Sequence, residues 1–277
     1  MKSLTKTLSL GLVALAGFGA ANFAFAQCPT IPATSNTPGG GGAWTSQTVT
    51  SAVFGSATPG LAGTNCALSV AFNNGAASNA KGFVTDTSPQ NETRYRARFY
   101  IDTSALTNLT LANRQFRVFS GLATTGPGTV GSAAEMVIAN IVGGAAGALT
   151  VRFQVGDTSV TNVGYKIVSA LVPTNDGTKN GKYRVEFDLQ QGSSVGANCA
   201  SVTPTGGCFR YWISYAADAT ADASPTGTQA VTNSGWSGVK QVNLGMFGSS
   251  AQFRTNVATQ AVVVDEFDSR RQTFIGQ

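Results

Sequence analysis

Apolar and polar residues alternate one by one along several separate segments of the chain. In Gly181–Gln191, which reads GKYRVEFDLQQ, aromatic and aliphatic residues alternate with charged and amide residues. A period of two places the two sets on opposite faces of a β-strand. The same alternation recurs in Glu92–Ile101, Cys208–Tyr215 and Val239–Phe247. The pattern predicts strands that pack one face into a core and turn a polar face away from it.

The composition between these segments favours turns over helices. Gly accounts for 33 residues, and charged residues make up only 11% of the chain. Short apolar runs separated by Gly, Pro, Asn and Ser predict about twelve strands in one sandwich domain, residues 43–277. Trp44–Val53 is expected to be the first strand, and Asp218–Gly235 is expected to be a long surface loop.

The first 42 residues are expected to lie outside this domain. Met1–Ala26 has two lysines, an apolar middle and the small-residue ending Ala24-Phe25-Ala26, the pattern of a cleaved signal peptide. Residues 27–42 are rich in Gly and Pro and are expected to form an N-terminal arm. The mature protein is therefore expected to be exported, either periplasmic or extracellular, without a membrane span.

Four cysteines in an exported chain predict two disulfide bonds, for which three pairings are combinatorially allowed. Cys199 and Cys208 flank a loop rich in Gly and Pro, so a local bridge between them would close that loop. The same choice would leave Cys28 to pair with Cys66. Zinc is not expected at these cysteines, because they lack short C-x-x-C spacing and the chain has no His.

The absence of His and the weak charge narrow the range of functions. Without His, neither a Ser-His-Asp nor a Cys-His mechanism can operate. The formal net charge is only +5, and the basic residues form no concentrated patch of the kind that binds nucleic acid. Nucleic acid is therefore not an expected partner.

The order of the late strands resembles a known family. The four late strands read, in order, GKYRVEFDL, CFRYWISY, VNLGMFG and VVVDEFDSRR. Their succession resembles that of the concanavalin A-like lectin/glucanase jelly roll, in its laminin-G-like bacterial form. The resemblance covers Glu92–Gln277. It implies an all-β fold, a two-sheet antiparallel jelly-roll sandwich whose concave face often holds glycans.

The catalytic motif of the family's glucanases is incomplete in this chain. That motif, E-x-D-x-x-E, is matched at Glu186 and Asp188, but Gln191 stands at its last position, or Gln190 in the shorter spacing. Retaining hydrolysis needs two carboxyl groups about 5–5.5 Å apart, and a glutamine cannot serve as either. We therefore expect a non-catalytic protein that binds a glycan or a cell-surface polysaccharide. The alternatives are a structural, adhesion or assembly subunit and, third, a glycan hydrolase or lyase.

The polar faces of three strands supply a candidate ligand site. Arginine and acid groups that bind sugar hydroxyls, together with an aromatic plane for stacking, are the usual components of a sugar site. The candidate residues are Arg96, Arg98, Glu186, Asp188, Arg210 and Trp212. The alternatives are that the charges pair with one another across the strands and that the loop Asp218–Gly235 folds over Trp212.

Asp265, Glu266 and Asp268 form the densest acidic group in the sequence. Calcium needs six to eight oxygen ligands, and no loop of spaced Asp and Asn residues supplies them. Ion pairing with the following Arg270 and Arg271 is the simpler account, and calcium is the alternative. No metal and no cofactor is expected.

Overall fold

The computed structural model describes residues 44–61, 63–73, 77–106, 114–126, 129–130, 132–144, 149–160, 164–172, 182–216, 218, 221–255, 260–270 and 273–275. These residues form sixteen strands and one short helix. The segments predicted as signal peptide and N-terminal arm, residues 1–26 and 27–42, lie outside the described residues.

Two antiparallel sheets of seven strands each make up almost all of the structure. Sheet A contains, in spatial order, β1 (Ser46–Thr50), β4 (Lys81–Asp86), β15 (Val239–Phe247), β6 (Gln115–Ala123), β9 (Glu135–Gly143), β10 (Leu149–Gly156) and β11 (Tyr165–Leu171). Sheet B contains β14 (Gly227–Ala230), β13 (Cys208–Tyr215), β12 (Lys182–Gln190), β5 (Arg94–Asp102), β16 (Ala261–Arg270), β3 (Ala67–Phe72) and β2 (Ala52–Ala57). The remaining elements are the strand pair β7 (Thr129–Val130) and β8 (Ser132–Ala133) and the helix α1 (Ala251–Arg254). The predicted two-sheet jelly-roll sandwich is confirmed.

Aromatic side chains join the two sheets in the core. The ring of Phe187, on β12, lies 5.0 Å from the ring of Phe119, on β6, and 6.1 Å from that of Phe153, on β10. All three side chains are fully buried. Because side chains alternate along a strand, the charged residues of β12 lie on the other side of sheet B, outside the core.

Sequence alternation located the central strands closely. β13 and β15 have the predicted bounds, Cys208–Tyr215 and Val239–Phe247. β12 occupies all but the first and last residues of Gly181–Gln191, and β5 starts at Arg94 within the predicted Glu92–Ile101. Apolar and polar residues alternate along these strands because one face packs in the core and the other carries polar groups.

Two predictions about chain path were wrong. The segment Trp44–Val53 is not one strand, because the chain leaves sheet A after β1 and enters sheet B at β2. The break falls at Ser51, whose φ of 48° is left-handed and turns the chain between the sheets. The predicted loop Asp218–Gly235 contains a strand, β14, which pairs with β13 at the edge of sheet B.

The local disulfide bond between Cys199 and Cys208 is confirmed. Cys66 is also disulfide-bonded, and its predicted partner Cys28 lies outside the described residues. Helix α1 has four residues, and none of the helices within the described ranges could cross a bilayer.

Candidate functional site

Strand register brings the six candidate residues together on the outer face of sheet B. Asp188 of β12 stands opposite Arg96 of β5 and Arg210 of β13. Glu186, two residues earlier, stands opposite Arg98 and Trp212 on the same two strands. We call the six residues the arginine–acid cluster: Arg96, Arg98, Glu186, Asp188, Arg210 and Trp212.

Asp188 is the centre of a buried network of ion pairs. Its carboxylate accepts hydrogen bonds from Arg94 at 2.9 and 3.1 Å and from Arg210 at 2.7 and 3.3 Å. Arg96 Nη2 lies 3.1 Å from the same carboxylate. Asp222, in the loop before β14, accepts a second hydrogen bond from Arg96 at 2.8 Å. Charge pairing across the strands, one of the two sequence-based alternatives, is thus present.

The loop before β14 covers part of this cluster. The indole Nε1 of Trp212 donates a hydrogen bond to the carbonyl oxygen of Ala221 at 3.3 Å. Only 1% of Trp212 is exposed, although it lies on the polar face of β13. The guanidinium groups of Arg96 and Arg210 lie 5.5 and 5.2 Å from the centre of its ring.

The chain segment Thr273–Ile275 covers the remaining part of the arginine–acid cluster. The ring of Phe274 lies 5.2 Å from that of Trp212. The backbone N–H of Ile275 donates to Glu186 Oε1 at 2.9 Å. The six residues of the cluster are consequently 0–7% exposed. Ligand binding by these residues stays a prediction, and it would require a covering segment to move.

The surroundings of Asp188 make stability depend on pH. Burial alone would raise the pKa of this carboxyl, but the hydrogen bonds from Arg94 and the positive charge of Arg96 outweigh it and lower the pKa. The stabilisation is therefore present above the ordinary carboxyl pKa of about 4 and is lost as the pH falls through the lowered value. We expect the free energy of unfolding, measured in urea, to decline below about pH 4, and Asp188→Asn to flatten that decline. An equally steep decline in the variant would contradict this role of Asp188.

The acidic residues of β16 are engaged by protein groups. Asp265 accepts hydrogen bonds from the backbone N–H of Leu61 at 2.7 Å and from the hydroxyl of Thr64. Burial raises the pKa of this carboxyl. Glu266 accepts from Arg98 at 3.1 Å, so its ion pair is with β5. Within the described residues no group of three Asp, Glu, His or Cys side chains is arranged to hold a metal, and calcium binding stays an untested alternative.

Sequence reasoning missed a second polar surface, on the outer face of sheet A. Asn243 of β15 stands between Thr85 of β4 and Ser120 of β6. Its amide oxygen accepts from the Thr85 hydroxyl at 2.9 Å, and its amide nitrogen donates to the Ser120 hydroxyl at 3.2 Å. We call this surface the amide face: Thr85, Ser120, Asn140, Arg152, Gln154 and Asn243.

Two arginines flank the amide of Asn140 on the amide face. Register places Arg117 of β6 on one side of Asn140 and Arg152 of β10 on the other. Arg117 donates to both carboxylate oxygens of Glu135, at 2.9 and 3.1 Å. Arg152 donates instead to the neutral amide oxygen of Gln115, its Nε is buried without a partner, and no described carboxylate pairs with it. Among the described residues, the guanidinium of Arg152 is thus paired with a neutral group, whereas that of Arg117 is paired with a carboxylate.

An aromatic pair lies at the side of the amide face. Phe83 of β4 stands opposite Gly245, and Phe247 of β15 stands opposite Arg117, so register puts both rings on the outer side. The two rings are 5.0 Å apart, and Phe83 is half-buried. Such a pair offers an apolar surface on which the face of a sugar ring can pack.

Weak alternation explains why the sequence did not reveal this surface. The outer positions of β9 include Ile138 beside Asn140, so the strand reads as almost uniformly apolar. In β6 a register shift between Arg117 and Phe119 turns Phe119 into the core, although simple alternation puts it on the polar side. The available signal was the amide Asn140 within the apolar β9, together with the amides Gln241 and Asn243 at alternate positions of β15.

Comparison with known proteins supports the fold. The solved structure of endo-β-1,4-glucuronan lyase from the fungus Trichoderma reesei matches with a TM-score of 0.52 and 14% identity, over 82% of this chain and 91% of that chain. Alginate lyases from Chlorella virus and Aplysia kurodai match with TM-scores of 0.47, at 8% and 10% identity, over 83% and 79% of this chain and 94% and 87% of theirs. No protein-family model matches the chain, and neither does any curated protein. The likeness to the glucuronan lyase agrees with a two-sheet jelly-roll fold.

The match to the glucuronan lyase corrects the expectation of a non-catalytic carbohydrate-binding or cell-surface protein. The glucuronan lyase, whose fold this chain shares, is an enzyme. The missing third acid after Glu186 and Asp188 argues against a glucanase of the retaining type, which needs two carboxyl groups. It does not bear on a lyase, which breaks the glycosidic bond by elimination. The inference from one hydrolase motif to the absence of catalysis was therefore too broad.

Proposed function

We propose that the protein is a polysaccharide lyase that cleaves an acidic polysaccharide lying across the amide face. The observation that carries this proposal is Arg152, a half-buried guanidinium whose hydrogen-bond partner among the described residues is the neutral amide of Gln115. A guanidinium in this state is suited to bind the carboxylate of a uronic acid residue. The shared fold of the glucuronan lyase supports the choice of reaction.

The amide face supplies groups suited to binding the substrate carboxylate, but none of its six residues is a Tyr, a Lys or a carboxylate that could act as the base. In β-elimination a base takes the proton next to the carboxylate, and the electron pair left behind forms a C=C bond. The glycosidic C–O bond breaks, its electron pair stays on the leaving oxygen, and that oxygen takes up a proton to become a hydroxyl. Arg152 and Asn140 bind the carboxylate and stabilise the negative charge that develops on it. Because the chain has no His, the proton transfers fall to Tyr, Lys or carboxylate side chains.

The neutral network around Asn243 fits the uncharged part of the substrate. Its amide and hydroxyl groups can bond sugar hydroxyls, and the Phe83–Phe247 pair can pack against a sugar face. The arginine–acid cluster on sheet B is a weaker candidate for this reaction, because its arginines already contact carboxylates. Burial does not separate the two surfaces, since Thr85, Ser120, Asn140 and Asn243 are also only 0–8% exposed.

A direct assay tests this function. Purified protein is incubated with glucuronan, with alginate and with a neutral β-glucan, and the ultraviolet absorbance of the new C=C bond beside the carboxylate is followed. We expect absorbance to rise with at least one acidic polymer and not with the neutral glucan. A flat signal with every acidic polymer tested would contradict the proposal.

We also propose that the protein is exported and belongs to the laminin-G-like form of the jelly roll. The signal-peptide pattern of Met1–Ala26 and the disulfide bonds support export. The order of the late strands supports the narrower family. The mass of the mature protein, which should begin at Gln27, tests the export proposal.

A further inference from the structure

The segment Thr273–Ile275 contacts the arginine–acid cluster in the way a bound sugar would. The ring of Phe274 lies beside the indole of Trp212, and its centre is 5.8 Å from the guanidinium of Arg96. The N–H of Ile275 donates to Glu186 at 2.9 Å. A ring packed on an indole and a donor to a carboxylate are contacts by which proteins hold sugar rings and their hydroxyls.

Arg96 keeps unused hydrogen-bonding capacity beneath this segment. The side chain is fully buried, and its Nη2 contacts Asp188 and Asp222. Among the described residues, its Nε and Nη1 have no hydrogen-bond partner, and both atoms are buried. Buried donors without partners cost free energy, so a ligand that accepts from them would be favoured.

Three arginines surround Asp188 on this face. Arg94, Arg96 and Arg210 form ion pairs with the carboxylates of Asp188 and Asp222. Glu186, which belongs to the same cluster, is a third carboxylate. The feature that favours a ligand is therefore the set of unused donors on Arg96, and not a surplus of positive charge.

We propose that the arginine–acid cluster is a binding site for a uronic acid residue, and that Thr273–Ile275 fills this site when no sugar is bound. The sugar carboxylate contacts Arg96, the apolar face of the ring packs on Trp212, and a hydroxyl donates to Glu186. This site lies on sheet B, opposite the amide face on sheet A, so it would hold a substrate or product chain without cleaving it.

Binding of methyl β-glucuronide tests the site apart from any cleavage. This sugar has no second sugar on its O4 to be eliminated, so the amide face cannot consume it. By isothermal titration calorimetry, we expect Phe274→Ala to bind it at least ten times more tightly than the wild type, because the competing ring is gone. Methyl β-glucoside, which lacks the carboxylate, should show no such gain. Thr273→Ala, at an exposed position of the same segment, is the matched control and should bind like the wild type.

Two further variants test which contacts are responsible for the change in affinity. Ile275→Pro removes the N–H that occupies Glu186 and should also strengthen binding. Arg96→Lys, added to Phe274→Ala, keeps the charge but loses the planar guanidinium, and it should abolish the gain. Near-ultraviolet circular dichroism establishes that each variant is folded.

Failure of this proposal is distinguishable from failure of the proposed cleavage. Folded Phe274→Ala and Ile275→Pro proteins that bind methyl β-glucuronide no better than the wild type would show that the segment is only a structural cover. In the unaltered protein, the sugar should shift the NMR signals of the Phe274 and Ile275 amides, and unchanged signals at saturating sugar would overturn the proposal even if a variant did not fold. The variant Arg152→Ala should leave this binding unchanged, because Arg152 lies on the other sheet.

Discussion

Replacing Asp188 with asparagine is expected to lower the free energy of unfolding by about 3–5 kcal/mol. The substitution removes the negative charge that three arginines share, while the arginines stay in place: Arg94, Arg96 and Arg210. Arg96 and Arg210 are fully buried, so water cannot take over the role of the carboxylate. Breaking a buried ion pair by removing one partner is costly for this reason. Urea unfolding at neutral pH measures the loss.

Glu266→Gln is the matched control for this experiment. Glu266 also pairs with an arginine of β5, Arg98, but its side chain is 34% exposed. Ion pairs in contact with water contribute at most about 1 kcal/mol, so this variant should stay close to the wild type. Losses of similar size in Asp188→Asn and Glu266→Gln would mean that burial of the Asp188 network is not what stabilises the fold.

Replacing Arg152 with alanine is expected to reduce kcat/KM on the acidic polysaccharide by about 10²–10³-fold. The physical reason is the loss of the group that binds the substrate carboxylate, on which charge develops during elimination. The thermal unfolding temperature should change little, because Arg152 is only half-buried and its hydrogen-bond partner among the described residues is the neutral side chain of Gln115. Initial rates from the absorbance of the unsaturated product provide the measurement.

Lys182→Ala controls for the loss of a positive charge as such. Lys182 begins β12 in sheet B and is half-buried like Arg152, but it lies on the opposite sheet from the amide face. Its removal changes the net charge by the same amount, so cleavage should proceed at the wild-type rate. Equal rates for the wild type and Arg152→Ala would exclude Arg152 from the site.

Alternation predicted the central strands because it is a direct consequence of packing. Phe187 faces the core and Asp188 faces outward, and the sequence records this difference residue by residue. The same alternation predicted that Asp188 pairs with Arg96 and Arg210, because opposite charges on the polar faces of neighbouring strands attract each other. The local disulfide bond was predictable because its two cysteines bound one short loop.

Features that depend on distant parts of the chain were not predictable. Nothing in the alternation of Trp44–Val53 indicates that the chain changes sheets at Ser51. The burial of Trp212 depends on Ala221 and Phe274, and the latter is 62 positions further along the chain (274 minus 212). The amide face went unseen because its outer positions mix Asn140 with Ile138, so its strands read as apolar throughout. The path of the chain between the sheets and the placement of covering segments, which a single sequence does not record, decide the first two cases, and the register of the strands decides the third.

The masses of the products formed from glucuronan test the central claim most directly. If the protein is a lyase, mass spectrometry after incubation should show oligosaccharides whose new non-reducing ends lack one water relative to hydrolysis products, with the C=C bond in that end residue. Oligosaccharides that have gained the full mass of water would show hydrolysis instead. A polymer recovered uncleaved, with alginate also intact, would contradict the assignment of this jelly roll as an enzyme acting on acidic polysaccharides.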